Sequence, residues 1–148
     1  MNAAEALSNL TEISSQIRAA VVTRADGEVL GSTLADGDRS RRLAAAAREL
    51  VAAVDEVRGR SETPIVQLEA ATSEGSVFVV REGELLVAAT TTPEPTVGLV
   101  FYDLKTCLRD VAHPEGEEAK PRPAARKKPA KAPAEEEETD GRDDARTE

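Results

Sequence analysis

The sequence is poor in the residues that carry chemistry. It has one cysteine, Cys107, and one histidine, His113, in 148 residues. A single cysteine excludes an internal disulfide and a cysteine-based zinc site. Beyond Val111 there is no Val, Ile, Leu, Phe or Met. Alanine is then the only apolar supply, so that segment cannot bury a core. No run approaches the ~20 apolar residues needed to span a membrane. The phosphate-loop pattern G-x-x-x-x-G-K-[ST] is absent. The opening residues, MNAAEALSNLTEIS, are too acidic and too polar for a signal peptide, and a cytoplasmic protein is expected.

These absences set the organisation. The folding unit is residues 1–112, a usual size for one small domain. Residues 113–148 read as a disordered, low-complexity charged tail. The tail holds 11 acids and 8 bases, −3 of the chain's net −9, and the domain carries the remaining −6. Two acidic parts argue against a primary role on nucleic acid. Residues 120–131 do hold six bases and no acid. An all-glutamate run at 135–138 follows at once, and the tail has no aromatic side chain to stack on a base.

What is present is led by residues 40–58, SRRLAAAARELVAAVDEVR. Leu43, Ala47, Leu50, Val51, Val54 and Val57 recur at helical spacing and form one apolar stripe. The opposite face carries Ala45 and Ala52, flanked by Arg41, Arg48, Glu49 and Glu56. Small residues there would let another backbone come close. The alanines also have a plainer explanation, as good helix formers.

Around this helix the other elements fall in order. Asn2 and Glu5 resemble a capping box ahead of a helix at 3–14. Residues 17–23 and 28–33 read as strands joined through Asp26-Gly27, a hairpin signal. Asp38 or Ser40 can cap the central helix. Asp36 and Asp38 flank Gly37 but lack the alternating oxygen ligands of a calcium loop, so no metal is expected. Gly59 and Pro64 end the helix.

Residues 65–72, 76–81 and 84–92 then form a three-stranded meander, with Glu74-Gly75 and Glu82-Gly83 at its turns. The runs 77–80, 85–89 and 19–22 are apolar at every position, so these strands need cover on both faces. Val66, Leu68 and Ala70 alternate with Gln67 and Glu69, and Val29 and Leu30 sit in a short strand. Those two strands read as edges. The result is an α+β fold with a five-stranded antiparallel sheet, order 2-1-5-4-3, and helices on both faces. A last helix is expected from Pro95, with Val97, Val100, Phe101, Leu104, Leu108 and Val111 on one side. Gly98 inside it costs ~1 kcal/mol relative to alanine, which suggests close backbone packing.

Catalysis needs a nucleophile with a base, or a general acid–base pair. His113 stands at the edge of the tail. Cys107 has no histidine in the folded region and reads as a buried thiol. Glu82 and Glu84 flank a turn, where solvated charges are routine. No enzyme and no cofactor are expected.

The element order and hydrophobic pattern of residues 17–34, 41–57, 76–92 and 96–111 resemble the roadblock/dynein-light-chain family in its bacterial form. The resemblance covers the whole of residues 1–112 and none of the tail. It implies a roadblock/profilin-like αββαβββα fold. It also implies homodimers paired through the second helix and the third strand, here 41–58 and 65–72. An antiparallel helix pair would bring Arg41 and Arg48 near the partner's acidic half, the region of Glu49 and Glu56. Edge pairing would run along Val66 and Leu68. Family members are non-catalytic, and bacterial ones commonly pair with a small Ras-like GTPase and regulate its nucleotide cycle. Others serve as scaffold subunits.

Overall fold

The computed structural model describes residues 1–59 and 66–114. The expected positions of Pro64 and Ile65, and the tail beyond Pro114, lie outside the described residues. The chain runs α1 (Ala3–Ile13), β1 (Ile17–Arg24), β2 (Val29–Ser32), α2 (Gly37–Arg58), β3 (Gln67–Thr72), β4 (Gly75–Glu82), β5 (Leu85–Thr91) and α3 (Val97–Ala112). The five strands form one antiparallel sheet in the order β2-β1-β5-β4-β3. Fold class and strand order are therefore as expected.

The uninterrupted apolar strands are covered on both sides. Ala20, Val22, Phe78, Val80, Val87 and Ala89 point to the layer of α1 and α3, and join Leu7, Leu10, Leu104 and Leu108 in one cluster. Their sequence neighbours Val21, Val79, Leu86 and Ala88 point the other way and meet Ala44, Ala47 and Val51 of α2. Period-two alternation thus builds two cores from one set of strands. Each fully buried leucine contributes about 2 kcal/mol of transfer free energy. The Phe78 and Phe101 rings lock α3 onto β4, 4.9 Å apart and at 75°, a T-shaped pair.

The helix starts follow local chemistry. Asn2 and Glu5 make the expected reciprocal cap: the Asn2 side-chain Oδ1 accepts from Glu5 N at 2.9 Å, and Glu5 Oε2 accepts from Asn2 N at 3.1 Å. The cap of α2 is Asp36, not Asp38 or Ser40; its carboxylate accepts from Asp38 N at 2.8 Å, and the helix begins at Gly37. Ser40 is buried instead, with its hydroxyl 2.7 Å from Ser32 Oγ. The last helix begins at Val97, two residues after Pro95. Gln16 Oε1 accepts from Thr96 N at 2.5 Å and holds Thr96 outside the helix as its cap.

The expected face of α3 is partly corrected. Val97 is exposed, whereas Leu99, Asp103 and Cys107 are buried beside Val100, Leu104 and Leu108. The helix packs on both α1 and β4, so its buried arc is wider than one stripe. Gly98 faces open space: outside its own turn of α3, no atom of the described residues lies within 4 Å of the position a Cβ would take. Close packing within the chain is therefore not its explanation. His113 is the C-cap residue of α3, and its Nε2 lies 3.5 Å from Glu82 Oε1.

Candidate interaction surface

The exposed side of α2 gathers most of the residues singled out from sequence. Ala45, Arg48, Glu49 and Ala52 line one open groove of about 260 Å³. Ala45, Glu49, Ala52 and Glu56 are exposed. Arg41 is also exposed and pairs with Asp38 one turn back along its own helix.

Arg48 has a different setting. It is half-buried, and its Nε donates to the Ala25 carbonyl at 3.2 Å. Its guanidinium lies over Gly27, whose φ is +102°. A Cβ there would stand 2.5 Å from Arg48 Nη1. Glycine supplies both the positive φ of the hairpin and the room for the arginine. Arg48 is thus a tie between α2 and the β1–β2 turn as well as a surface charge.

Val66 and Leu68 do not join that groove. Leu68 pairs with Val79 in the β3–β4 ladder, so it faces the α2 side and packs against the α2 cluster. Val66 is 54% exposed just ahead of β3, and its carbonyl accepts from Arg81 N at 2.9 Å. Among the described residues β3 pairs only with β4 and forms one edge of the sheet. Its outer backbone groups are free to pair with another strand.

Four residues of the expected apolar stripe are not core. Leu43, Leu50 and Val54 are half-buried, and Val57 is 88% exposed. The buried line of α2 is Ser40, Ala44, Ala47 and Val51. Ala44 was not in the stripe; at 100° per residue it lies on the Arg48 side of Ala47.

The remaining features give little chemistry. Burial, and then the charge of Asp110, push the Cys107 thiol up to about 12, so it stays protonated and inert at neutral pH. Among the described residues there is no cluster of His, Cys, Asp or Glu that could hold a metal ion. A second cavity of about 390 Å³ is lined by Arg24, Leu30, Glu82, Leu85, Val111 and His113. Glu84 also lines it; Arg24 pairs with Glu28 at 3.2 Å, and His113 Nε2 lies 3.5 Å from Glu82. No described helix is long and apolar enough to cross a membrane.

A single antiparallel sheet between two helical layers, with β2 and β3 at its edges, defines a small three-layer α+β domain. Solved structures place that architecture. The roadblock/LC7 domain from Streptomyces avermitilis superposes with a TM-score of 0.65 at 19% identity, over 71% of this chain and 90% of that one. MglB of Myxococcus xanthus gives 0.62 at 14% identity, over 80% and 92%. The gliding protein MglB of Thermus thermophilus gives 0.61 at 18% identity, over 75% and 86%. The chain has the roadblock/LC7 fold, in line with the resemblance carried by its sequence. No family model matches the sequence, and no curated protein matches it.

Proposed function

We propose that this protein is a non-catalytic, cytoplasmic regulator that acts as a homodimer and binds a small Ras-like GTPase. The observation that carries the reading is the roadblock fold shared with MglB structures, with its β3 edge left unpaired beside α2. The dimer forms through α2 and β3. Pairing β3 with its counterpart satisfies backbone groups that the single chain leaves at the edge. The GTPase meets the outer side of α2, where Arg41, Arg48 and Glu49 are presented. It responds because the dimer binds one state of its switch regions better than the other.

The test begins with affinity capture of the native partner and identification by mass spectrometry. GTP hydrolysis and nucleotide release by the captured GTPase are then measured with and without saturating dimer. A change in either rate supports the reading. A stable complex with both rates unchanged would make the protein a scaffold subunit. Failure to recover any GTPase would remove the functional half of the proposal and leave the fold untouched.

A further inference from the structure

We infer that Arg48 anchors the partner surface: the β1–β2 turn sets its guanidinium in place to receive a surface carboxylate of the GTPase, and it acts there in docking, without reaching the bound nucleotide. This rests on the GTPase reading above and names the chemistry that the partner must offer.

Residues 39–48 hold four arginines and no acid, in a domain of net charge −6. The four differ in setting. Arg39 and Arg42 are exposed, and Arg41 is exposed and paired with Asp38. Long exposed side chains lose rotamer freedom when a partner holds them, which offsets much of what a charge pair returns. Arg48 is half-buried; its Nε donates to the Ala25 carbonyl at 3.2 Å, and its guanidinium lies over Gly27. Its freedom is restricted before any partner arrives. It also has no counter-charge. The positions three and four away along α2 are Ala44, Ala45, Val51 and Ala52, none of them an acid. Among the described residues Arg48 makes no ion pair, whereas Arg24, Arg41 and Arg81 each do. A fixed, half-buried guanidinium without an acid beside it is where an incoming carboxylate gains most, because the fork can take both oxygens at once.

The surroundings select the occupant. Ala45 and Ala52 line the same groove as Arg48, so the segment that bears the carboxylate can lie close to the helix. Glu49 lines it too and repels a second acid, which fixes the side on which the carboxylate enters. α2 crosses the sheet from Ser32 of β2, touched by Ser40, to Arg81 of β4, touched by Asp55. Arg48 leans from that path toward the β1–β2 turn, whereas β3 forms the opposite edge of the sheet. A second copy paired along β3 therefore docks away from Arg48 and leaves it to another protein. With Nε held by Ala25, the side chain lies along the surface instead of extending from it. It is placed to meet a carboxylate on the partner's surface, not a phosphate inside the partner's nucleotide pocket.

The probe is the GTPase captured by the wild-type full chain. Its dissociation constant, and its GTP hydrolysis rate at saturating dimer, are measured with wild type, Arg48→Ala, Arg48→Lys and Gly27→Ala. Far-UV circular dichroism and light scattering verify fold and oligomeric state. Arg48→Ala is expected to raise the dissociation constant about tenfold or more. Arg48→Lys keeps the charge but loses the fork and the Ala25 bond, and is expected to fall closer to Arg48→Ala than to wild type. Gly27→Ala keeps every charge, but its Cβ would stand 2.5 Å from Arg48 Nη1 and displace the guanidinium, so binding is expected to weaken by a smaller factor. The rate at saturation is expected to match wild type throughout. Arg48→Ala binding within about twofold of wild type would overturn the inference. So would a rate at saturation that falls with Arg48→Ala, which would place the arginine at the nucleotide. An Arg48→Ala chain that no longer dimerises, beside a dimeric wild type, would assign the carboxylate to the second copy and overturn it as well. A Gly27→Ala variant that binds like wild type would overturn the part given to the turn. A wild-type chain that captures no GTPase would remove the GTPase reading and this inference with it.

Discussion

Replacing Gly98 by alanine should stabilise the protein. Gly98 is the second residue of α3, exposed, with ordinary helical backbone and nothing within 4 Å of a Cβ built on it. The new methyl meets no atom of the chain, so no clash offsets the gain. The gain comes from the unfolded state, whose glycine has more conformations to lose. In a helix interior the difference is about 0.8–1 kcal/mol, and ~0.7 kcal/mol is reasonable in the first turn. For a folded unit of ~110 residues the unfolding entropy is about 230 cal/mol/K, so the melting temperature should rise by about 3 °C. Wild type and variant are melted at one fixed protein concentration, because self-association would make the midpoint concentration-dependent. A fall in the midpoint would refute the reasoning. It would mean that Gly98 serves a close approach from another molecule, since the chain itself makes none.

Three further outcomes follow from the packing. Cys107 should resist a thiol reagent at pH 8 until the protein is unfolded by denaturant. The thiol stays protonated in the fold up to about pH 12 against an ordinary 9.0. Its contribution to stability is therefore complete below pH 9 and falls by about 1.4 kcal/mol per pH unit above it, a slope that Cys107→Ala should remove from urea titrations. Arg48→Ala should cost about 1 kcal/mol through loss of the Ala25 hydrogen bond, whereas Arg41→Ala, exposed and paired only within its own helix, should stay within about 0.5 kcal/mol. Truncation after Pro114 removes no apolar residue larger than alanine, so its thermal midpoint should match that of the full chain to within a degree or so.

The sheet was legible because its signal is redundant. Runs such as Val77 to Val80 leave a strand no polar face, so helices had to lie on both sides, and the two clusters divide those residues by alternation. The edges were legible for the converse reason, since Gln67 and Glu69 interrupt β3. Helix boundaries were less so, because several residues could serve as caps. Thr96 is fixed by Gln16, which stands 80 positions earlier, and no local pattern reports that bond. Asp103 was invisible as an interior residue: it is buried at 1% exposure yet reads as one more surface carboxylate on α3.

The central helix shows why a candidate surface is harder to read than a core. Periodicity identifies an apolar stripe and its opposite, as though a helix had two faces. On a sheet wider than itself it has three: one buried, and two flanks that differ in what the sheet offers beneath them. Leu50 and Arg48 lie on different flanks of α2, and only the diagonal course from Ser32 to Arg81 shows that one flank overlooks covered strands and the other an open edge. The apolar stripe read from sequence joins Leu43, Leu50, Val54 and Val57 to Ala47 and Val51. Of these, Leu43, Leu50 and Val54 are half-buried and Val57 is exposed. Leu43 and Leu50 pack against the α2-side cluster from its rim. A residue on a flank carries the same periodicity as one on the buried face, so the sequence alone does not tell Leu50 from Val51.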